Sequence, residues 1–180
     1  MQKLNFLKPA LPLTVICVVI ALLLAVVNAV TADKIADNAK KEKESAIEKI
    51  FPQCESFESS DPSLWKETVS DAGSVKNEAG EVIGYFAEVS PVGFKGEISL
   101  IVGCDNEGKI IKVSCLSTTE TPAVGTKATD DKYLSGYTEL TGDDVMGVDT
   151  ITGATISSKA VRLGIHNAVL TAMNIIEEGK

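Results

Sequence analysis

Between Leu11 and Val30 the chain reads LPLTVICVVIALLLAVVNAV, twenty residues without one charged side chain. As an α-helix such a run is about 30 Å long, the thickness of a bilayer's hydrocarbon core. A helix apolar on every side has no face to turn to water, so one membrane crossing is expected at residues 11–30. A cleaved signal peptide is the competing reading, because Val30-Thr31-Ala32 would serve as a cleavage site. Signal h-regions are shorter, however, about 7–15 residues, which favours a retained anchor. Lys3 and Lys8 precede the span, while Lys34, Lys40, Lys41 and Lys43 come after it, interleaved with Asp33, Asp37, Glu42 and Glu44. A bare lysine count would hold the succeeding domain inside, but long domains translocate largely regardless of flanking charge. Residues 1–10 are therefore expected to form a short cytoplasmic head.

Beyond the anchor lie about 150 residues, enough for one core. Residues 31–52 read as a helical stalk, with Ile35, Ala39, Ala46, Ile47 and Ile50 at loosely helical spacing and Pro52 at its end. The Ser/Glu-rich stretch from Cys54 to Ser63 reads as a loop. Short β-branched runs then alternate with turns: Ser74 to Asn77, Val82 to Val89, Gly96 to Cys104 and Lys109 to Leu116. Consecutive strands joined by tight turns pair with each other, so an antiparallel meander is expected. A Thr-rich loop covers Ser117 to Asp131, a short helix is expected within Lys132 to Leu140, and Val145 to Ile151 reads as extended. Ser157 and Ser158 open a last helix, on which Val161, Ile165, Ala168, Val169, Ala172 and Ile176 recur every three or four residues. The fold class is α+β, an antiparallel sheet packed by helices on one face and preceded by one N-terminal transmembrane helix.

Composition removes several functions. Seventeen basic against twenty-five acidic side chains give a net charge of −8, with no basic cluster to neutralise phosphates, so nucleic acid is no expected partner. Cys17, Cys54, Cys104 and Cys115 form no C-x-x-C pair and none lies near His166, so no metal site is expected. If Asp105 pairs with Lys109 across the Asn106-Glu107-Gly108 turn, Cys104 faces Ile110 and Cys115 faces Ser99, and the two are not bridged.

The segment Asp149-Thr150-Ile151-Thr152-Gly153-Ala154-Thr155-Ile156-Ser157-Ser158 sets hydroxyls and small residues between an extended run and a helix N-terminus. Unpaired backbone N–H groups converge there and attract an anion by about 0.3–1 kcal/mol, or about 2 kcal/mol when partly buried. No lysine succeeds the glycine at the spacing of a Walker-type loop. On residue chemistry alone these hydroxyls read first as helix caps.

Asp-x-x-Thr-Gly-Ala-Thr nevertheless resembles the flavinylation motif of the FMN-binding domain family. That family includes the G subunit of Rnf complexes and the C subunit of the sodium-pumping NADH:quinone reductase. Gly93-Phe94-Lys95-Gly96-Glu97-Ile98 resembles its Gly-Tyr/Phe-x-Gly-x-Ile strand, and Thr118-Thr119-Glu120-Thr121-Pro122 resembles its His-x-Glu-Thr-Pro loop. Thr118 stands where the family often has His, and Ala123-Val124 where it has Gly-Leu. The resemblance implies an FMN-binding domain over residues 53–180, with FMN moved by a flavin transferase from FAD onto Thr155 as a phosphoester. It implies Asp149, Thr152, Gly153 and Ala154 as the recognition sequence, and Glu120, Thr121 and Phe94 as flavin neighbours. The length is nearer to the Rnf G subunit than to the longer C subunit. The expected function is thus an electron-transfer subunit of a membrane ferredoxin:NAD oxidoreductase that moves Na⁺ or H⁺, partnered by the other Rnf subunits, with its soluble domain on the extracytoplasmic side. No catalytic residue is required, since the redox chemistry belongs to the flavin. The alternatives are a C-type subunit of the quinone reductase and a colourless, non-redox membrane-tethered binding or scaffold protein.

Overall fold

A computed structural model of the protein describes residues 7–179, and the chain divides into two compact units, one running to Glu42 and the other from Lys43 onward. Helix α1 (Leu7–Ile50) begins in the first unit and its last residues belong to the second; it leaves every residue from Leu11 to Val30 exposed, and it is long and apolar enough to cross a membrane. Nothing within the unit buries that apolar surface, as expected of a helix whose solvent is lipid.

The second unit is a five-stranded antiparallel meander in sequence order: β1 (Ser56–Ser59), β2 (Val69–Lys76), β3 (Val82–Val89), β4 (Ile98–Cys104) and β5 (Ile110–Thr118). The turns are the ones their residues demand. Gly80 and Gly108 adopt positive φ of 77° and 80°, a conformation that glycine reaches without strain. Asp105 caps its own turn, its Oδ1 accepting from the Glu107 and Lys109 amides at 2.8 and 2.9 Å.

Strand β4 is apolar on both pleats because both faces of the sheet are covered. Its Ile98, Leu100, Val102 and Cys104 join Ala87 and Val89 of β3 beneath helix α3 (Thr155–Glu178), whose Val161, Ile165, Ala168, Val169 and Ala172 are fully buried. Full burial of a Val or Ile side chain contributes about 1.5–3 kcal/mol, so this stripe alone anchors the helix. Ile101 points the other way, into a second cluster with Val75, Phe86 and the end of α1, namely Ala46, Ile47 and Ile50, together with Phe51. Phe51 and Ile50 lie against strand backbone at Gly84 and Gly103, where an added Cβ would collide with them. The expectation of helices on one face is thereby corrected. The same alternation that sends Leu100 and Val102 to α3 sends Ile101 and Phe86 to α1, and that face also needs a cover.

Other expectations shift locally. The Cys54 to Ser63 loop contains β1, whose Phe57 packs edge-on against Phe86 at 5.4 Å, and β2 begins at Val69 rather than Ser74. The Lys132 to Leu140 helix shrinks to α2 (Asp131–Leu134) and a 3₁₀ turn at Ser135–Tyr137, and Val145 lies in a 3₁₀ turn, Gly142–Gly147, not an extended run. Helix α3 starts at Thr155, ahead of Ser157, and its Ile176 is only half-buried. Cys104 does face Ile110, but Ile111 is an extra residue that slips the register, so Cys115 faces Leu100 instead of Ser99. All four cysteines are free.

Candidate functional site

Three segments that are remote in sequence meet at one cavity of about 480 Å³, lined by Phe94, Glu120, Thr121, Val124, Gly125 and the run Gly153 to Ser157. That volume lies within the range of small-molecule sites, about 300–1,000 Å³. The sheet brings the first two segments together: β4 succeeds the Gly93–Gly96 turn and β5 leads into Thr118–Gly125, so pairing of Ile98 with Thr118 sets the turn beside the loop. Packing of α3 on the sheet supplies the third.

Thr155 is the first residue of α3 and is exposed. Among the described residues its hydroxyl takes no side-chain hydrogen bond. Gly153 makes the bend before it with φ of 84°, and Ala154 occupies the N-cap position without any side chain able to cap. The first-turn amides of a 24-residue helix are thus left for an external anion. Ser157 and Ser158 do not cap this terminus, because both are buried and turned inward. Ser158 Oγ donates to the Ala154 carbonyl at 2.8 Å and accepts from the Ile151 amide at 3.1 Å. Ser157 Oγ donates to Glu120 Oε2 at 2.9 Å.

The segment before Thr155 is pinned from outside. Arg162 Nη1 donates to the Val148 carbonyl at 2.9 Å, and the Tyr133 hydroxyl donates to the Asp149 carbonyl at 3.1 Å. Tyr133 in turn accepts from the Tyr137 hydroxyl at 3.0 Å, and burial first, then that neighbour, pushes the Tyr137 phenol well above its ordinary value.

Glu120 is a buried carboxylate, only 4% exposed. Its Oε1 accepts from the Lys95 amide at 3.0 Å, while Oε2 takes the Ser157 hydroxyl. Burial pushes its carboxyl upward, but the Lys95 amide, the Ser157 hydroxyl and the amides of Phe94 and Gly96 together hold it below the ordinary carboxylate value. A Cβ added at Gly93 or Gly125 would strike this carboxylate, so both glycines are space for Glu120.

Of the residues expected from sequence, Thr155, Gly153, Ala154, Glu120, Thr121 and Phe94 therefore share the cavity, and Phe94 lies 71% exposed at its mouth. Asp149 and Thr152 are exposed and line none of it; Asp149 takes part through its backbone. Val124, Gly125, Ile156 and Ser157 were not foreseen as lining. Nothing local marks them, except that Val124 and Gly125 come just after the Glu-Thr-Pro loop. Among the other aromatics, Trp65, Tyr85, Tyr133 and Tyr137 pack into the core rather than the cavity. His166 bonds the Gly142 carbonyl through Nδ1 at 3.1 Å. Among the described residues no group of His, Cys, Asp and Glu could hold a metal.

FMN fits this arrangement: Phe94, Val124 and Ile156 give exposed apolar surface for a flat ring, and an uncapped helix start with a free hydroxyl suits a phosphate. The sequence pattern described as an FMN-binding domain matches residues 93–170, and that described as the RnfG N-terminal region matches residues 1–50. The G subunit of the Na⁺-translocating ferredoxin:NAD⁺ oxidoreductase complex of Acetobacterium woodii is 30% identical, over 93% of this chain and 92% of the relative. The G subunit of an ion-translocating oxidoreductase complex from Methanosarcina acetivorans is also 30% identical, over 90% of this chain and 92% of its own length. The proton-translocating counterpart of Clostridium ljungdahlii is 31% identical over 51% of this chain and 55% of its own.

Proposed function

We propose that this chain, which belongs to the family of G subunits of ion-translocating oxidoreductase complexes, carries its FMN as a phosphoester on Thr155. The protein is an FMN-binding electron-transfer subunit of an Rnf-type ferredoxin:NAD oxidoreductase. One observation carries the covalent reading: the Thr155 hydroxyl is free, at an uncapped helix start, in the wall of the cavity. Thr155 Oγ1 replaces AMP on the flavin-side phosphorus of FAD, so one P–O bond forms, the pyrophosphate P–O bond breaks, and the hydroxyl proton is released. A flavin transferase performs this exchange, reading Asp149, Thr152, Gly153 and Ala154.

Bound FMN supplies reversible electron transfer in one- or two-electron steps. The chain's own residues do the rest. The α3 N-terminus holds the phosphate, Phe94, Val124 and Ile156 confine the ring, Thr121 and Glu120 border it, and Tyr133, Arg162 and Ser158 keep the acceptor segment in place. No side chain makes or breaks substrate bonds, so the subunit is an electron station within the complex. Residues 1–10, 11–30, 31–52 and 53–180 serve as cytoplasmic head, membrane span, stalk and FMN-binding domain, with the last outside the cytoplasm. Intact mass spectrometry of the chain from its native membrane tests the attachment. A mass raised by one FMN less one water, located on the Thr155 peptide, is expected; an unmodified mass on a flavin-free protein sinks the proposal.

A further inference from the structure

The cavity wall contains a charge that the electron-carrier reading does not by itself require. Glu120 is 4% exposed, yet among the described residues no lysine, arginine or histidine pairs with it. It is held by dipoles instead. The Lys95 amide donates to Oε1 at 3.0 Å and the Ser157 hydroxyl donates to Oε2 at 2.9 Å. Each carboxylate oxygen is therefore engaged by one donor from within the protein, and both donors are neutral. The walls at Gly93 and Gly125 have no room for even a Cβ, which fixes the carboxylate in place.

A buried ion satisfied only by neutral donors keeps its net charge, and in a low-dielectric wall that charge acts over several ångströms. We propose that Glu120 is a fixed negative charge that lowers the midpoint potential of the flavin in this cavity, an inference that rests on the cavity being the FMN site. The sign follows from electrostatics: reduction brings electrons onto the ring, and a neighbouring anion disfavours the more negative state. Glu120 is thus a residue that tunes the cofactor through its field. Low potential is the property a carrier needs in order to exchange electrons with a strong reductant.

The test is a redox titration of the full-length, flavin-loaded chain, monitored by visible absorbance, comparing wild type with Glu120→Gln. Glutamine keeps the volume, its carbonyl still accepts from Lys95, and Ser157 Oγ can turn to accept from its amide. The expected result is a higher potential, by at least a tenfold change in the oxidised-to-reduced equilibrium, about 30 mV for a two-electron couple. An unchanged or lower potential, with or without a fall in the thermal midpoint, leaves Glu120 a structural clamp and overturns the proposal. If Glu120→Gln does not retain flavin, Ser157→Ala decides. It removes a donor dipole but keeps the charge, so the potential should fall, and a potential that is unchanged or raised overturns the inference. A wild-type chain that carries no flavin refutes the functional reading itself, and this inference with it; flavin present with the wrong shift refutes this inference alone.

Discussion

Thr155 matters because its oxygen is unoccupied, and Glu120 because its oxygens are all engaged. Thr155→Ala removes the only hydroxyl at the helix start that is not turned inward, and alanine at the first helical position disturbs nothing packed. We expect a folded protein whose denatured gel band has lost its flavin fluorescence; fluorescence at wild-type level would move the attachment elsewhere. Thr155→Ser keeps the oxygen and should retain part of the signal. Gly125→Ala tests the cradle around Glu120. Its Cβ meets the carboxylate, and overpacking of this kind costs about 1–3 kcal/mol, readable as a lowered midpoint of unfolding by the fluorescence of Trp65. The same carboxylate gives a pH signature. Its folded pKa lies below its ordinary value, so its contribution to stability is complete above that ordinary value and is lost as the pH falls through the folded pKa. Acid unfolding monitored through the carboxylate range should therefore be shallower in Glu120→Gln than in wild type; identical acid limbs would contradict the assignment.

Among the elements, the two helices that cover the sheet differ in how much of their role can be read from their residues. The α3 stripe repeats every three or four residues, and that spacing alone identifies its buried face. The end of α1 has no such stripe: its buried apolar residues are Ala46, Ile47 and Ile50, the last turns of a 44-residue helix. Lys43 fixes its position, pairing with Asp71 and, at 3.1 Å, with Glu88, its ammonium 5.0 Å from the Phe86 ring centroid. Lys43→Ala leaves two part-buried carboxylates facing each other. The expected loss lies between the about 0–1 kcal/mol of an exposed pair and the about 3–5 kcal/mol of a buried one. Urea unfolding in detergent would measure it, and a stability equal to wild type would show that the apolar contacts of Ile47 and Ile50 suffice.

For the whole molecule, charge and length on either side of the span decide which face of the membrane receives the FMN domain. The head has Lys3 and Lys8 and no acid, whereas the chain beyond the span mixes acids with its lysines and is long enough for flanking charge to lose its influence. We expect the N-terminus inside and the domain outside. An impermeant lysine reagent applied to intact cells stripped of their wall should label lysines between Lys40 and Lys132. Labelling that needs a broken membrane would reverse the orientation. N-terminal sequencing of the membrane-bound form should begin at or near Met1; a start at Asp33 would make the span a cleaved signal.

The apolar span, the meander and the motif around Thr155 are each written in contiguous residues: an uncharged run, β-branched strands divided by Asn-Glu-Ala-Gly and Asn-Glu-Gly turns, and hydroxyls around Gly153-Ala154. The Gly-Phe-x-Gly and Glu-Thr-Pro segments that end in the cavity are legible in the same way. No local pattern reveals that Ser157 serves Glu120 rather than the helix cap, that Gly93 and Gly125 make room for a carboxylate, or that Ile111 slips the β5 register. Those depend on contacts between residues as far apart as Glu120 and Ser157, 37 positions, and only the packing of α3 against the sheet and the pairing of β5 with β4 decide them. A run of residues records which face of an element is apolar; which donor meets which acceptor is fixed only when two faces close and every buried polar group must find its partner.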